Sequence, residues 1–271
     1  MGIKDFLKAE LGPEKKKVQD FGEFFDLNFI KGKKVVIDAF NVIYKNMYVL
    51  KEHLTFNGQI TTHIKITLQK IRYFQKLNVQ QFWIFDEYYG NKLKEETVNK
   101  RTLKLEREHV EEIKKLLSLC GIKWISVKIE AEFYAAELTK GDNPLYDVVL
   151  SSDMDVIIRG GVLLKESLRE GKRCYFYLNG ETMLKELKIS SCALAKMAVM
   201  LGCDFAPKSL RVGPKSVWKK RNEPITPRQQ EAVDFLCHKI DMCGVIHKKP
   251  ETKKENKEEL NEWLLELGFS I

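Results

Sequence analysis

Short, almost uniformly apolar runs punctuate the first half of the chain: Val35-Val36-Ile37, Phe82-Trp83-Ile84-Phe85, Lys123 to Val127 and Val148-Val149-Leu150. Runs of this kind suit parallel strands covered on both faces. Between them the apolar period lengthens. Ile64, Leu68, Ile71 and Phe74 recur at three- and four-residue steps and predict a helix from Thr61 to Leu77. Val110, Ile113, Leu116 and Leu117 predict another, ending at Cys120-Gly121. Further helices are expected through Ile43, Tyr44 and Tyr48, and from Glu130 through Tyr134, Ala135 and Leu138. Strand and helix thus alternate to about residue 160, which predicts an α/β fold with a mostly parallel central sheet flanked by helices.

Beyond it the pattern predicts a strand from Cys174 to Leu178, a helix capped by Ser190 and running to Leu201, and a helix opened by Thr226-Pro227. The opening Met1 to Leu7 is apolar enough to pack, and the stretch through Lys15-Lys16-Lys17 reads as a polar connection. His247 to Glu259 reads as a flexible link before a short apolar helix around Trp263, Leu264 and Leu267.

Acidic residues stand at the ends of these strands. Asp38 and Asp86 end two of the runs, and Asp153 and Asp155 come just after a third. Ligands of parallel sheets collect outside the carboxyl ends of the strands, so these acids should converge on one edge. Glu130 and Glu132, at a helix start, and Asp204, in Leu201-Gly202-Cys203-Asp204, are placed with them. So many carboxylates at one site repel one another unless a divalent ion neutralises them. The expected cofactor is Mg²⁺, with Mn²⁺ as a substitute. Two such ions about 4 Å apart can activate a water and stabilise the leaving oxygen of a phosphodiester.

The formal charge of +8 and a pI near 9.0 coexist with this acidic set, so basic residues dominate the remaining surface, as befits a polyanion held outside a metal pocket. Arg211-Val212-Gly213-Pro214-Lys215 offers a turn into a helix whose first amides could hold a phosphate, with Lys215, Lys219, Lys220 and Arg221 adding charge. Six scattered cysteines fit reduced thiols, and no apolar stretch reaches the length of a membrane span. The expectation is a soluble, intracellular monomer of the nucleus or cytoplasm, with no membrane partner. Cys237, His238, Cys243 and His247 lack paired Cys-x-x-Cys knuckles and are not read as a zinc site. His53, His63 and His109 read as surface or helix residues.

The ordered set Met1-Gly2-Ile3, Val35-Val36-Ile37-Asp38-Ala39, Phe85-Asp86, Glu130-Ala131-Glu132, Ser152-Asp153-Met154-Asp155, Leu201-Gly202-Cys203-Asp204 and Val212-Gly213-Pro214-Lys215 resembles the flap endonuclease or XPG-like family of structure-specific 5′ nucleases, over most of residues 1 to about 220. The resemblance implies a PIN-like fold and metal-dependent hydrolysis of DNA at 5′ flaps, nicks, gaps or junctions in replication, repair or recombination, leaving 5′-phosphate and 3′-hydroxyl ends. It assigns metal binding to Asp38, Asp86, Glu130, Glu132, Asp153, Asp155 and Asp204. Lys94 and Arg101, two helical turns apart, match the basic pair of the helical arch and would steer the scissile phosphate. Tyr44 matches the aromatic that stacks on a base beside that phosphate, and Gly213, Lys215 and Lys219 fall in the helix-two-turn-helix that holds the duplex. The organisation expected is a nuclease core over 1–189 with a short basic arch at 87–120, a duplex-binding region over 190–245, and a polar link with a short helix over 246–271.

Departures from the family pattern shape the expectation too. The span 87–129 is short for a flap endonuclease, so the arch reads as a stub or open clamp, favouring substrates without a free end. Arg211 stands where glycine is common, which puts a monovalent-cation site at that loop in question, and no sliding-clamp peptide is evident. An RNA-directed endonuclease or a junction resolvase of the same fold is the alternative within this chemistry. A noncatalytic nucleic-acid-binding scaffold is the alternative outside it.

Overall fold

The protein is described from a computed structural model, over residues 5–47, 54–87, 105–249 and 254–269. The strands of its main sheet are β1 (Glu23–Phe25), β2 (Lys34–Asp38), β3 (Gln80–Asp86), β4 (Lys123–Val127), β5 (Val148–Leu150), β6 (Val162–Arg169), β7 (Lys172–Asn179) and β8 (Ile246–Lys248). They form one sheet in the order β8-β4-β3-β2-β5-β6-β7-β1. The five central strands are parallel, and β8, β7 and β1 join antiparallel at the flanks. The helices are α1 (Ala39–Met47), α2 (Thr62–Lys76), α3 (Arg107–Leu119), α4 (Ala131–Glu137), α5 (Asp155–Ile158), α6 (Gly180–Leu187), α7 (Ser191–Leu201), α8 (Val217–Lys220), α9 (Pro227–Cys237) and α10 (Lys257–Glu266).

The central strands are apolar throughout because both faces are covered. In β2, Val35 and Ile37 pack into the core beneath α1, α2, α3 and α10, while Val36 packs into the opposite core beneath α4, α5 and α7. Each fully buried Val, Ile or Phe contributes about 1.5–3 kcal/mol of transfer free energy. Asp38 and Asp86 share the face of Val36 and Ile84, with Asp38 opposite Ile84 and Asp86 two residues further along the next strand. The strand order runs outward from β2 in one direction and from β5 in the other. The crevice between the carboxyl ends of β2 and β5 is therefore the topological switch point of the sheet.

Several segments differ from the sequence pattern's expectation. The stretch through Lys17 is a small hairpin of Glu10–Leu11 and Lys16–Lys17, with Phe6, Leu11 and Val18 buried in the α4 core. Ile246–Lys248, within the stretch read as a link, pairs with β4, and α10 inserts Leu260 and Leu264 into the α3 core. His63 is buried, its Nε2 lying 2.6 Å from Glu112 and its ring against His109. The turn after Gly213 leads into only one helical turn, α8, which stops before Asn222-Glu223-Pro224. So short a helix carries little dipole, and any hold on phosphate there falls to side-chain charge.

Candidate metal centre

The loop after β5 is built around one buried hydroxyl. Ser151 Oγ donates to Asp38 Oδ2 at 2.9 Å and accepts from the Asp153 amide at 3.1 Å, so it ties the ends of β2 and β5 together across the switch point. Beside it, the Asn41 amide donates to Asp38 Oδ1 at 3.1 Å, and Asn41 Oδ1 accepts from both the amide and the hydroxyl of Ser152 at 2.9 and 2.8 Å. Asp153 Oδ1 then accepts from the Asp155 amide at 3.1 Å, which fixes the tight Asp-x-Asp turn into α5. Arg159 holds the far end of α5. Its guanidinium reaches the carbonyls of Leu236 and His238 at 2.8 and 2.9 Å and Glu137 at 3.1 Å, locking α5 to α4 and α9.

This scaffold brings Glu132 from α4 together with Asp153 and Asp155. One carboxylate oxygen from each lies within 4.8 Å of the others, and all three side chains are buried. Asp38 and Glu130 are also buried, Glu130 at the N-cap of α4, while Asp86 and Asp204 are half-buried. Asp204 sits in the turn closed by the Cys203–Ala206 bridge. Burial pushes the Cys203 thiol up to about 12, and the charges of Asp155 and Asp204 add to the rise.

Two charges this close cost roughly 3–4 kcal/mol at an effective dielectric of about 20. A divalent cation among the three would offset that repulsion. An all-oxygen, carboxylate-rich set is the hard donor set that suits Mg²⁺ or Mn²⁺. The residues present therefore fit the metal site implied by the sequence.

Of the other expected site residues, Lys94 and Arg101 lie outside the described residues. The Tyr44 hydroxyl accepts the Leu105 amide at 3.2 Å, just ahead of α3, and its ring packs on Phe40. Gly213 donates its amide to Ser216 Oγ at 2.9 Å, and Lys215 and Lys219 are exposed. The loop before them is pinned by buried Gln229, whose Nε2 donates to Pro207 O and Ser209 Oγ at 3.0 and 2.8 Å. Arg211 adopts a left-handed φ of 56°, a conformation that glycine would reach without strain. Ser151 and Asn41 were not singled out by the sequence, because a single polar residue in a loop or in a first helical turn carries no periodic signal.

Comparison with known proteins agrees with this architecture. The XPG N-terminal domain matches residues 1–108 and the XPG I-region matches residues 121–204. Flap endonuclease 1 of Leishmania braziliensis is 25% identical over 233 residues, covering 72% of this chain and 58% of that protein. The Nanoarchaeum equitans enzyme of the same name is 26% identical, covering 98% and 90%. The chain spans about three fifths of the Leishmania relatives it matches, 58% and 64% of two of them. In fold it is similar to flap endonuclease-1 from Methanococcus jannaschii (TM-score 0.70, 21% identity, covering 92% of this chain and 91% of that one). It is also similar to the catalytic core of Rad2 in complex with a DNA substrate (TM-score 0.66, 19% identity, covering 92% of each). Human GEN1 in complex with Holliday junction DNA matches at a TM-score of 0.65 and 14% identity, covering 92% of this chain and 71% of that one. Two XPG domains matched in order over most of the sequence, on a sheet of this topology, make the chain a member of the flap endonuclease/XPG-like family.

Proposed function

We propose that this protein is a divalent-metal-dependent nuclease that hydrolyses phosphodiester bonds in DNA at 5′ flaps, nicks, gaps or junctions. The observation that carries the reading is the meeting of Glu132, Asp153 and Asp155 within 4.8 Å at the carboxyl edge of the sheet, with Asp38 tied to the same loop. Asp38, Asp86, Glu130, Glu132, Asp153, Asp155 and Asp204 are the proposed ligands of two Mg²⁺ ions. When bound, such ions supply Lewis acidity toward a phosphate oxygen and lower the pKa of a water. The chain's own residues do the positioning. Ser151 and Asn41 hold the Asp38 carboxylate and the Asp153 loop in one geometry, and burial of the acids keeps the surrounding dielectric low.

In this reading Lys94 and Arg101 steer the scissile phosphate, Tyr44 stacks beside it, and Gly213, Lys215 and Lys219 hold the duplex. Residues 1–189 form the catalytic unit, 190–245 grip the duplex, and 246–271 complete the α3 side. The protein acts as a monomer.

The test is product mapping with Mg²⁺ or EDTA on 5′- and 3′-labelled flap, nicked, gapped and four-way-junction DNA and on single-stranded RNA. The expected result is EDTA-sensitive cleavage next to the branch, abolished in Asp153→Ala and Asp155→Ala while duplex binding persists. Unchanged turnover in either variant refutes the assignment. Cleavage confined to RNA selects the RNA-directed alternative, and metal-independent binding without cleavage of any substrate selects a noncatalytic scaffold.

A further inference from the structure

β6 passes directly beside the metal cluster. Leu164 pairs with Leu150, and its carbonyl accepts the Ser151 amide at 3.3 Å, so Lys165 is the first residue level with the loop carrying Asp153. Strand alternation sends Lys165 to the face of Leu163, the face on which Asp38 and Asp86 stand, and Glu166 to the opposite face. The two neighbours then have different fates. Glu166 is bound by Lys45 at 3.4 Å and by Lys70, and Lys45 also donates to the Glu166 carbonyl at 3.0 Å. Those two lysines thus share the single charge of Glu166.

Lys165 is half-buried opposite Phe176 on β7, and its ammonium makes no hydrogen bond or ion pair among the described residues. The β5–β6 pairing sets Lys165 alongside the loop that carries Asp153, a proposed metal ligand. A partly desolvated ammonium with three open donors beside an anionic cluster suits a phosphate oxygen. Metal neutralises the carboxylates, and the lysine is then free to neutralise something else.

We propose that Lys165 is a phosphodiester-contact residue, gripping the nucleic-acid backbone on the β6 side of the cluster. The order β3-β2-β5-β6 puts β3, from which the chain continues toward Lys94 and Arg101, on one flank of the switch point and Lys165 on the other. The inference rests on the nuclease reading.

The test measures binding of the full chain to a nicked DNA duplex in Ca²⁺ across a salt series, for wild type, Lys165→Gln and Lys165→Arg. One lost phosphate contact should reduce the slope of log K against log[salt] by about 0.9. Lys165→Gln is expected to show that reduction with several-fold weaker binding, and Lys165→Arg to restore both. Calcium binding without DNA should be unchanged or tighter in Lys165→Gln, since a repelling cation has gone. An unchanged slope and affinity in Lys165→Gln overturns the proposal, whatever happens to calcium, and makes the lysine a counter-charge for the carboxylates alone. If wild type cleaves none of the DNA substrates with Mg²⁺, the nuclease reading fails and this inference fails with it; a wild type that cleaves beside a Lys165→Gln of unaffected binding removes only the inference.

Discussion

Ser151→Ala is the sharpest probe of how the site is held. The hydroxyl is buried, it donates to a carboxylate at 2.9 Å, and it accepts a backbone amide at 3.1 Å. A hydrogen bond to a charged group contributes about 1.5–3 kcal/mol, and an amide left unsatisfied costs about 1–3 kcal/mol. The two losses share one atom and are not additive, so the expected destabilisation is about 3 kcal/mol in EDTA. For a chain of this size that corresponds to a fall in Tm of roughly 6–12 °C. Ser152→Ala supplies the control, because its hydroxyl donates to a neutral amide oxygen whose other donor, the Ser152 backbone N–H, remains. About 1 kcal/mol is expected there.

Metal dependence separates the two variants further. Loss of a group that orients a ligand typically costs about 10–100-fold in metal affinity or activity, so the Mg²⁺ midpoint for cleavage should rise by at least about tenfold in Ser151→Ala and stay near wild type in Ser152→Ala. Thermal melts in EDTA and in saturating Mg²⁺, with single-turnover cleavage across a metal titration, read both effects. Ser151→Ala within about 0.5 kcal/mol of wild type, at an unshifted Mg²⁺ midpoint, would refute the claim that this hydroxyl couples β2 to β5.

Contacts elsewhere in the fold give three other expected outcomes. Burial alone would raise the Glu166 pKa, but Lys70 and Lys45 more than offset it and hold the carboxyl below its ordinary value of 4.5; its stabilising effect is therefore present above about pH 4.5 and lost as pH falls through the folded value. Glu166→Gln should cost about 2 kcal/mol at neutral pH and flatten the acid limb of a Tm-against-pH curve. Burial pushes Cys120, Cys203 and Cys237 up to about 12, with a hydrogen bond from the Cys237 thiol to Cys192 contributing at Cys237. At pH 8 about one part in ten thousand of each is then thiolate, and iodoacetamide mass mapping of the native protein should label exposed Cys192 and Cys243 while leaving those three unmodified. Tyr44→Phe removes the acceptor of the Leu105 amide; hydrogen exchange should quicken at residues 105–108 with a loss of about 1 kcal/mol, whereas base stacking would survive in the phenyl ring.

What the sequence disclosed and what it withheld divide along a physical line. β2, β3, β4 and β5 were legible because a strand buried on both faces must be apolar at every position, and the acids stood out as the first residues beyond that constraint. β6 escaped because only Val162, Leu163 and Leu164 are buried before the strand turns polar, and because its hairpin closes through Glu170-Gly171. Those two residues take φ values of 52° and 76°, the pair of positive angles that Asn-Gly or Asp-Gly usually signals. The burial of His63 was hidden since its partner, Glu112, is far along the chain, and helical periodicity says nothing about a pairing between α2 and α3.

Strand order was the deeper omission. Alternating strands and helices permit more than one sheet order, and only the arrangement with β2 beside β5 makes Asp38 and the Asp153 loop share a serine. The acids are therefore necessary to the site but do not by themselves assemble it; the side chains that do, Ser151 in the loop after β5 and Asn41 in the first turn of α1, are small polar residues whose identity matters only once the two strands are adjacent. Lys165 belongs to the same class. It becomes a neighbour of Asp153 through the β5–β6 pairing alone, so a strand slip of one residue, which would send its side chain to the other face, would remove the cation from the site without changing a single acid.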